Sequence, residues 1–99
     1  MNVIIRYRIR PDALQEHLRL LQAAFDEMAI QRPDLTYQVH QLDDDGTFIE
    51  IVHGDQLPAP LAILPAFQRY RRGLEDRCAE PLQMIEPARS FAYPQAPPR

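Results

Sequence analysis

The order in which two hydrophobic periods follow one another along this chain leaves few folds open to it. Residues 2–10 (NVIIRYRIR), 35–42 (LTYQVHQL) and 47–53 (TFIEIVH) alternate between apolar and polar side chains. A period of two is that of a β-strand. The segments after the first and third strands instead repeat apolar residues every three or four positions, as amphipathic helices do. With a last strand over PLQMIEPARSFAY, the predicted order is β-α-β-β-α-β.

Prolines mark the beginnings of both predicted helices. Pro11 has a fixed φ that suits a first helical position, and Asp12 puts a negative charge where the helix dipole favours it. The apolar stripe of the first helix comprises Leu14, Leu18, Leu21, Phe25 and Met28. Pro33 lies just beyond the end of this helix. The second helix is predicted from Pro65 to Ala79, and its stripe comprises Phe67, Tyr70, Leu74 and Cys78.

This order of elements in 99 residues predicts an α+β, ferredoxin-like domain. Its antiparallel sheet would have four strands in the order 4-1-3-2, with the helices on one face. A composition of 45% hydrophobic and 25% charged residues is typical of a single globular domain, which we assign to residues 1–93. Residues 94–99, PQAPPR, form a proline-rich tail that we expect to be flexible.

The charge balance and the single cysteine argue against several classes of function. A net charge of −3, from 11 basic and 14 acidic residues, offers no general attraction to nucleic acid or to anionic membranes. No apolar run approaches the ~20 residues that cross a bilayer, and no signal peptide is recognisable, so we expect a soluble cytoplasmic protein. Cys78 has no second cysteine with which to form a disulfide or a zinc motif. His53 and Asp55 alone do not make a metal site, and we expect neither a metal nor a cofactor.

The turn DDDG, residues 43–46, predicts how the second and third strands pair. A three-residue loop that ends at Gly46, with this glycine in the left-handed region, sets Asp43 opposite Thr47. In that register His40 faces Glu50 across the two strands. Glu50 would then point away from the helices, on the open face of the sheet.

This open face carries the candidate site. His40 and Glu50 are the candidate catalytic pair, because a neighbouring carboxylate favours the imidazolium and tunes it near neutral pH. The candidate substrate-binding residues on the same face are Arg6, Arg8, Gln38 and Phe48, among the apolar Ile4, Leu42 and Val52. We expect at least one of Arg6 and Arg8 to lie within salt-bridge reach of Glu50 and to anchor an anionic ligand. Glu50 would then either serve the ligand or act as a structural counter-ion.

The open face also predicts self-association. Exposed apolar patches of this kind usually mark interfaces, so the expected partner is a second copy of the chain in a homodimer. The stretch ARSFAY, residues 88–93, would lie along the partner's sheet edge. We expect Tyr7, Tyr37 and Phe67 to lie in the core. The arginines of the second helix, which we expect on a solvated face beside Glu75 and Asp76, are Arg69, Arg71, Arg72 and Arg77.

Three of these features together resemble a known family. The β-α-β-β-α-β order, the segment RIRPDALQEHLRLLQAAF at the first helix, and TFIEIVHGD with its glutamate on the third strand are similar to the antibiotic biosynthesis monooxygenase-like proteins. The resemblance covers residues 2–93. It implies ferredoxin-like subunits that pair their sheets into a dimeric α/β barrel. The family that the chain resembles is functionally diverse and includes cofactor-free oxygenases and haem-degrading enzymes.

The chain departs from two branches of that family. The haem-degrading branch uses an asparagine on the first strand, a tryptophan, and a haem-ligating histidine on the second helix. This chain has Arg6 and Tyr7 on the first strand, contains no tryptophan, and has no histidine from Pro65 to Ala79, which argues against haem degradation. The polyketide oxygenases also use asparagine and tryptophan in their cavities, so Glu50 is the one position that carries over.

Two classes of function therefore remain. In the first, the homodimer holds a small, anionic organic molecule between its sheets, as a cofactor-independent oxygenase or isomerase would, and His40 and Glu50 handle a proton. In the second, the polar face is buried as a hydrogen-bonded dimer core without catalysis. An open cavity of roughly a few hundred Å³ favours the first class, and a filled interface favours the second.

Overall fold

A computed structural model of the protein describes residues 2–94; Met1 and residues 95–99 of the predicted tail lie outside the described residues. The strands are β1 (Asn2–Arg8), β2 (Thr36–Gln41), β3 (Thr47–His53) and β4 (Gln83–Ile85). The helices are α1 (Leu14–Gln31), α2 (Ala59–Ala62), α3 (Pro65–Arg72) and α4 (Leu74–Arg77). The strands form one antiparallel sheet in the order β2-β3-β1-β4, which is the predicted order read from its other edge.

Helix α1 follows a 3-10 turn at Pro11–Ala13, close to where Pro11 predicted a helix to begin. It ends at Arg32, which has a left-handed φ of 51° and donates its N–H to the Met28 carbonyl at 2.8 Å. The fully buried side of α1 comprises His17, Leu21, Ala24 and Met28. A buried histidine therefore lies on the face that packs against the sheet.

The predicted second helix is interrupted. Helix α3 ends at Arg72, Gly73 separates it from the single turn of α4, and Cys78 is extended with φ −75° and ψ 141°. Glycine in a helix costs about 1 kcal/mol relative to alanine, so Gly73 is a natural place for the break. At this break Arg77 is buried, with 8% exposure, so the prediction of a solvated Arg77 is wrong.

The last strand is shorter than predicted. β4 covers three residues of the stretch PLQMIEPARSFAY and pairs with β1. No helix or strand is assigned to residues 86–94, in which Phe91 and Tyr93 are 88% and 100% exposed. Within residues 2–94, no helix is long and apolar enough to cross a membrane.

The loop between β2 and β3 is one residue longer than predicted. The Asp44 carboxylate accepts hydrogen bonds from the N–H of Gly46 at 3.1 Å and of Thr47 at 2.8 Å, and from the Thr47 hydroxyl at 2.6 Å. Leu42 therefore pairs with Thr47, through an N–H to carbonyl bond of 2.8 Å. The left-handed residue of the loop is Asp45, with φ 62°, rather than Gly46.

This extra residue moves the side chains of β3 to the opposite faces of the sheet. A shift of one position exchanges the two faces of a strand because side chains alternate. Val39 faces Glu50, and His40 faces Ile49. The prediction that His40 faces Glu50 is therefore wrong, because Glu50 points towards the helices and His40 away from them.

Candidate active site beneath the helices

Glu50 lies in the middle of the buried face of the sheet. Its side chain is 0% exposed, and its neighbours across the two adjoining strands are Ile5 and Val39. Carboxylates are almost never fully buried unless they have partners. The residues that satisfy Glu50 therefore define the chemistry of this region.

Three tyrosine hydroxyls converge on the Glu50 carboxylate. Tyr37 of β2 donates to Oε1, whereas Tyr7 of β1 and Tyr70 of α3 donate to Oε2. The hydroxyl oxygens of Tyr7 and Tyr70 are 2.9 Å apart. None of the ion pairs among residues 2–94 includes Glu50. We call Glu50, Tyr7, Tyr37 and Tyr70 the tyrosine–carboxylate cluster.

His17 and Arg77 extend the cluster away from Glu50. The His17 Nε2 is 3.0 Å from the Tyr7 hydroxyl, and Arg77 Nε donates to His17 Nδ1 at 3.2 Å. The Arg77 guanidinium also donates from Nη2 to the Tyr70 carbonyl at 2.7 Å, and it lies 5.4 Å from the centre of the Tyr70 ring. A continuous set of hydrogen bonds thus joins α1 and α4 to Glu50.

Burial perturbs the acid–base behaviour of Glu50, Tyr7, Tyr37 and His17. It raises the pKa of Glu50, against the hydrogen bonds from Tyr37 and Tyr7, which lower it. Burial and the charge of Glu50 raise the pKa of Tyr7 and of Tyr37, so both hydroxyls remain donors at neutral pH. Burial, together with the Arg77 charge, lowers the pKa of His17 to about 4, so this imidazole is neutral at pH 7.

An apolar cavity of about 360 Å³ lies beside the cluster, between the sheet and helices α2 and α3. Its apolar lining comprises Val3, Ile5, Val52, Leu57, Pro58, Leu61, Ala62, Phe67 and Met84. Its polar lining comprises Tyr37, Gln68 and Arg71. Among the members of the tyrosine–carboxylate cluster, which all lie in the described part of the chain, Tyr37 is the one that lines this cavity.

Helix α3 contributes residues both to this cavity and to the cluster, and its position depends on a contact with α1. The Glu27 carboxylate of α1 accepts the N–H of Ala66 at 3.0 Å and of Phe67 at 3.1 Å, at the beginning of α3. These two donors have no carbonyl partner within α3 because they belong to its first turn. Glu27 therefore fixes the beginning of the helix that carries Tyr70 and Arg71.

Comparison with known proteins identifies this architecture. No family model and no curated protein matches the chain. Among solved structures, a candidate antibiotic biosynthesis monooxygenase from Bacteroides thetaiotaomicron superposes with a TM-score of 0.71, at 17% identity, over 98% of this chain and 95% of that one. The chain has the antibiotic biosynthesis monooxygenase fold. A second candidate monooxygenase, from Nitrosomonas europaea, has a TM-score of 0.67, at 16% identity, over 96% of this chain and 92% of that one.

A third structure, of an antibiotic biosynthesis monooxygenase, has a TM-score of 0.66 at 20% identity, over 85% of this chain and 92% of that one. The resemblance that the sequence indicated is thus confirmed as a likeness of fold. Identities in this range concern the fold alone, so the chemistry of this chain must come from its own residues.

Within the monooxygenase fold, the residues predicted to form the site lie on both faces of the sheet. His40 and Gln38 are exposed on the open face, as are Arg6 and Arg8. Phe48 is 1% exposed beneath the helices, on the same face as Glu50. The predicted site on the open face therefore lacks both its carboxylate and its aromatic residue.

The contacts of Arg8 and Phe48 also show that these two residues lie on opposite faces of the sheet. At least one of Arg6 and Arg8 was predicted to reach Glu50, but no ion pair of the described residues joins either to it, and Arg8 instead donates to Asp44 of the hairpin loop at 2.8 Å. Phe48 stacks on the ring of Tyr7, with centroids 5.5 Å apart and planes inclined by 10°. It also contacts the ring of His17 edge to face, at 4.7 Å.

The open face of this monooxygenase fold carries an isoleucine patch that the predicted register misassigned. Phe48 and Val52 were expected there, and both are buried on the other side. The residues that occupy the patch are Ile4, Ile49, Ile51 and Ile85, which are neighbours across β3, β1 and β4. The open face is thus apolar at its centre and polar towards β2.

His17 and Arg77, the two residues that extend the cluster, were not assigned to a site by the sequence interpretation. His17 could have been found, because positions 17, 21, 24 and 28 continue one helical stripe with spacings of four and three. Arg77 has no such signal, since its burial depends on the break at Gly73. The convergence of the tyrosines depends on three separate elements and has no local signature.

Proposed function

We propose that the protein binds a small, mainly apolar organic acid in the cavity beside Tyr37, and that Glu50 accepts a proton from it through the Tyr37 hydroxyl. The observation that carries this proposal is the double role of Tyr37, which lines the cavity and donates to Glu50. Removal of a proton from such a ligand is a first step open to an isomerase or to a cofactor-independent oxygenase.

The proton transfer follows from the hydrogen bonds. A ligand hydroxyl that donates to the Tyr37 oxygen can pass its proton there, while the Tyr37 proton moves to Glu50 Oε1. The ligand O–H bond breaks, Tyr37 remains neutral, and Glu50 becomes a carboxylic acid. A general base works best when its pKa lies near the working pH, and burial raises the pKa of Glu50 in that direction.

The rest of the cavity indicates the class of ligand. Its walls are mostly aliphatic and aromatic, as in pockets that enclose small organic molecules, and its volume of about 360 Å³ lies at the lower end for such ligands. Arg71 lines the same cavity, and its nearest carboxylate is the exposed Glu75 at 3.9 Å. A cation at the edge of an apolar site would hold the anion that proton removal leaves behind.

The fold comparisons are compatible with a reaction on this architecture, while its location comes from the residues of this chain. The structures similar to this chain include ones that bear the name antibiotic biosynthesis monooxygenase, so a chain of this architecture is able to carry an oxygenase site. The proposed site lies in a different location from the one that the sequence predicted. It uses the helix side of the sheet in each subunit, where Glu50 lies, instead of the space between two sheets.

Ligand binding is tested by filling the cavity. Ala62 is exposed on α2 and lines the cavity, so Ala62→Trp should block it with little effect on stability. Ala59 is exposed on the same short helix and is not among the lining residues, so Ala59→Trp is the matched control. Para-nitrophenol is the probe, and binding is measured by isothermal titration calorimetry.

We expect the unmodified protein and Ala59→Trp to bind para-nitrophenol, and Ala62→Trp to bind it at least tenfold more weakly. Arg71→Gln should weaken binding of para-nitrophenol but not of neutral nitrobenzene, with the exposed Arg72→Gln as control. Equal binding by the two tryptophan variants would place the ligand elsewhere. Absence of binding to the unmodified protein would reject this class of ligand.

The isoleucine patch favours a second candidate, a dimeric module without catalysis. Contiguous apolar residues on an exposed sheet face usually mark an interface. Two copies that pair these faces would bury Ile4, Ile49 and Ile51, with His40 and Arg6 at the edges. Dimerisation itself is compatible with the first candidate, because the patch and the cavity lie on opposite sides of the sheet, and the absence of catalysis is what distinguishes the second.

A further inference from the structure

We propose that Arg77 and His17 are positioning residues that fix the direction of a chain of hydrogen bonds ending on Glu50, so that Glu50 accepts protons and the cavity takes a ligand that is an acid. The direction of the chain stands on its geometry alone. The statement about the ligand rests on the function proposed above. Neither residue lines the cavity, so each acts through Tyr7 and Glu50.

The direction begins at Arg77, because a guanidinium donates hydrogen bonds and cannot accept them. Its Nε–H points at His17 Nδ1 at 3.2 Å, so this ring nitrogen must present a lone pair. A neutral imidazole carries one proton, which therefore lies on Nε2. Nε2–H then donates to the Tyr7 oxygen at 3.0 Å. The Tyr7 proton is left to point at Glu50 Oε2, or at the Tyr70 oxygen 2.9 Å away, and Tyr70 in turn donates to the same Glu50 oxygen.

Without Arg77 the same residues could be arranged the other way. A His17 ring protonated on Nδ1 would present its Nε2 lone pair to Tyr7, and the Tyr7 hydroxyl would donate to His17. Glu50 would then lose one of its donors and would hold its own proton more tightly. Arg77 prevents this arrangement by occupying Nδ1, and its charge also opposes an imidazolium. The lowered pKa of His17, about 4, agrees with a neutral ring over the working range.

The surroundings of Glu50 consist of donors and cations. Tyr7 and Tyr37 approach it from β1 and β2, and Tyr70 approaches from α3. Burial raises the pKa of Glu50, while the hydrogen bonds from Tyr37 and Tyr7 and the charges of Arg71 on α3 and Arg77 on α4 lower it. His17 of α1 acts through Tyr7. The donors and cations presented by these elements favour the anionic form of Glu50 against the effect of burial, and the anionic form is the one that receives a proton.

The ligand class follows from that direction. An anionic Glu50 with Tyr37 between it and the cavity can take a proton but has none to give. The ligand must therefore supply one from an acidic O–H or C–H, as a phenol, an enol or a carbon between two carbonyl groups does. A site that needed to protonate a basic ligand would instead require Glu50 to be held in its acid form.

Substitution of Arg77 tests the direction of the chain. Arg77→Met removes the donor to Nδ1, whereas Arg77→Lys keeps a cationic donor and is the conservative control. Nuclear magnetic resonance of isotope-labelled His17 reports its tautomer, and the carboxyl carbon of Glu50 reports its titration. We expect the Nε2–H tautomer in the unmodified protein and in Arg77→Lys. In Arg77→Met we expect a mixture of tautomers and a Glu50 midpoint at higher pH.

A purely structural Arg77 would lower stability and leave the His17 tautomer unchanged, which would overturn the proposal; the Glu50 midpoint supports it only together with a tautomer change, because the Arg77 charge also lowers the pKa of Glu50 directly. An Nδ1–H tautomer in the unmodified protein would overturn it as well, so the test stands even if Arg77→Met does not fold. Para-nitrophenol tests separately whether the cavity binds a ligand and whether the bound ligand gives up a proton. Bound probe that absorbs as nitrophenolate below its own pKa supports an acid ligand. Bound probe that stays neutral overturns that statement, whereas a failure to bind rejects the proposed function and leaves the tautomer result to decide the direction of the chain.

Discussion

The two faces of the sheet carry different kinds of polar chemistry. On the open face, charged residues lie in solvent, and Arg8 forms an ion pair with Asp44 in which both side chains are more than 40% exposed. On the helix face, Glu50 is 0% exposed and is satisfied by neutral hydroxyls. The open face therefore carries more charged residues, but the helix face carries the carboxylate whose environment is unusual.

The reason lies in how water treats charge. An exposed ion pair contributes about 0–1 kcal/mol, because solvent screens it and its side chains lose freedom. A buried carboxyl group instead shifts its pKa and must be held by specific partners, and such groups concentrate at functional sites. Glu50 beneath the helices is thus a stronger candidate for catalysis than the polar residues that were predicted on the open face, which are Arg6, Arg8, Gln38 and His40.

Truncation of the buried carboxylate should have the largest effect. Glu50→Ala removes the shared acceptor of three buried hydroxyls, and an unsatisfied buried group costs about 1–3 kcal/mol. Since Tyr7 and Tyr70 can partly satisfy each other, we expect a loss of about 4 kcal/mol in the free energy of unfolding. The exposed His40→Ala should change it by less than about 0.5 kcal/mol. Chemical denaturation measures both, and similar losses would remove the distinction between the faces.

Disruption of the isoleucine patch should act on association. Ile51→Asp puts a charge at the centre of the open face, and we expect it to weaken a homodimer by about 3 kcal/mol, or over 100-fold in Kd. Ile63→Asp is the control, since Ile63 is 79% exposed at the end of α2, on the helix side. Sedimentation equilibrium measures the effect. A monomer at micromolar concentration before any substitution would contradict the expected dimer.

Replacement of His17 should change how stability depends on pH. The folded pKa of His17 is about 4 against an ordinary value of 6.5, so between these values the unfolded chain binds a proton that the folded chain does not. Stability from this residue therefore increases as pH rises from about 4 to 6.5. His17→Gln keeps polar partners for Tyr7 and Arg77 but removes the titration.

We expect the variant to gain stability relative to the unmodified protein as the pH falls through that window, by up to about 3 kcal/mol overall. Glu50 contributes in the opposite direction, because its raised pKa makes stability fall as pH rises above its ordinary 4.5. That contribution is common to both proteins and cancels in the comparison. Parallel stability curves for the two proteins would show that His17 is not held neutral by the fold.

Removal of the Glu27 contact should have the smallest effect. Glu27→Ala leaves two N–H groups at the beginning of α3 without their acceptor, and loss of a cap of this kind costs about 1 kcal/mol. Asp26→Ala is the matched control, because Asp26 is exposed and accepts only a side-chain bond from Gln22 at 2.9 Å. Thermal unfolding measures the difference. Equal effects would mean that Glu27 does not hold α3.

Much of the fold could be predicted from local pattern. The alternation in β1 and β2 placed Tyr7 and Tyr37 beneath the helices, and the prolines located α1 and the beginning of α3. These features depend on residues that are close to one another in the sequence, so the sequence alone is enough to predict them. The strand order followed because few arrangements satisfy a β-α-β-β-α-β chain.

The site could not be predicted because it depended on one loop. The Asp44 side chain captures two backbone N–H groups and lengthens the turn by a residue, which no alternation pattern reveals. That single residue moved Glu50 from the open face to the helix face and separated it from His40. The burial of Arg77 likewise followed from a helix break after Arg72, and not from any apolar neighbour in sequence.

The most direct test of this account locates the ligand on one face of the sheet. Tyrosine and histidine side chains are isotope-labelled, and their resonances are followed while para-nitrophenol is added. We expect the ring signals of Tyr37 to move with the probe concentration and those of His40 to stay unchanged. Movement of His40 with Tyr37 unchanged would contradict the account, because it would return the site to the open face.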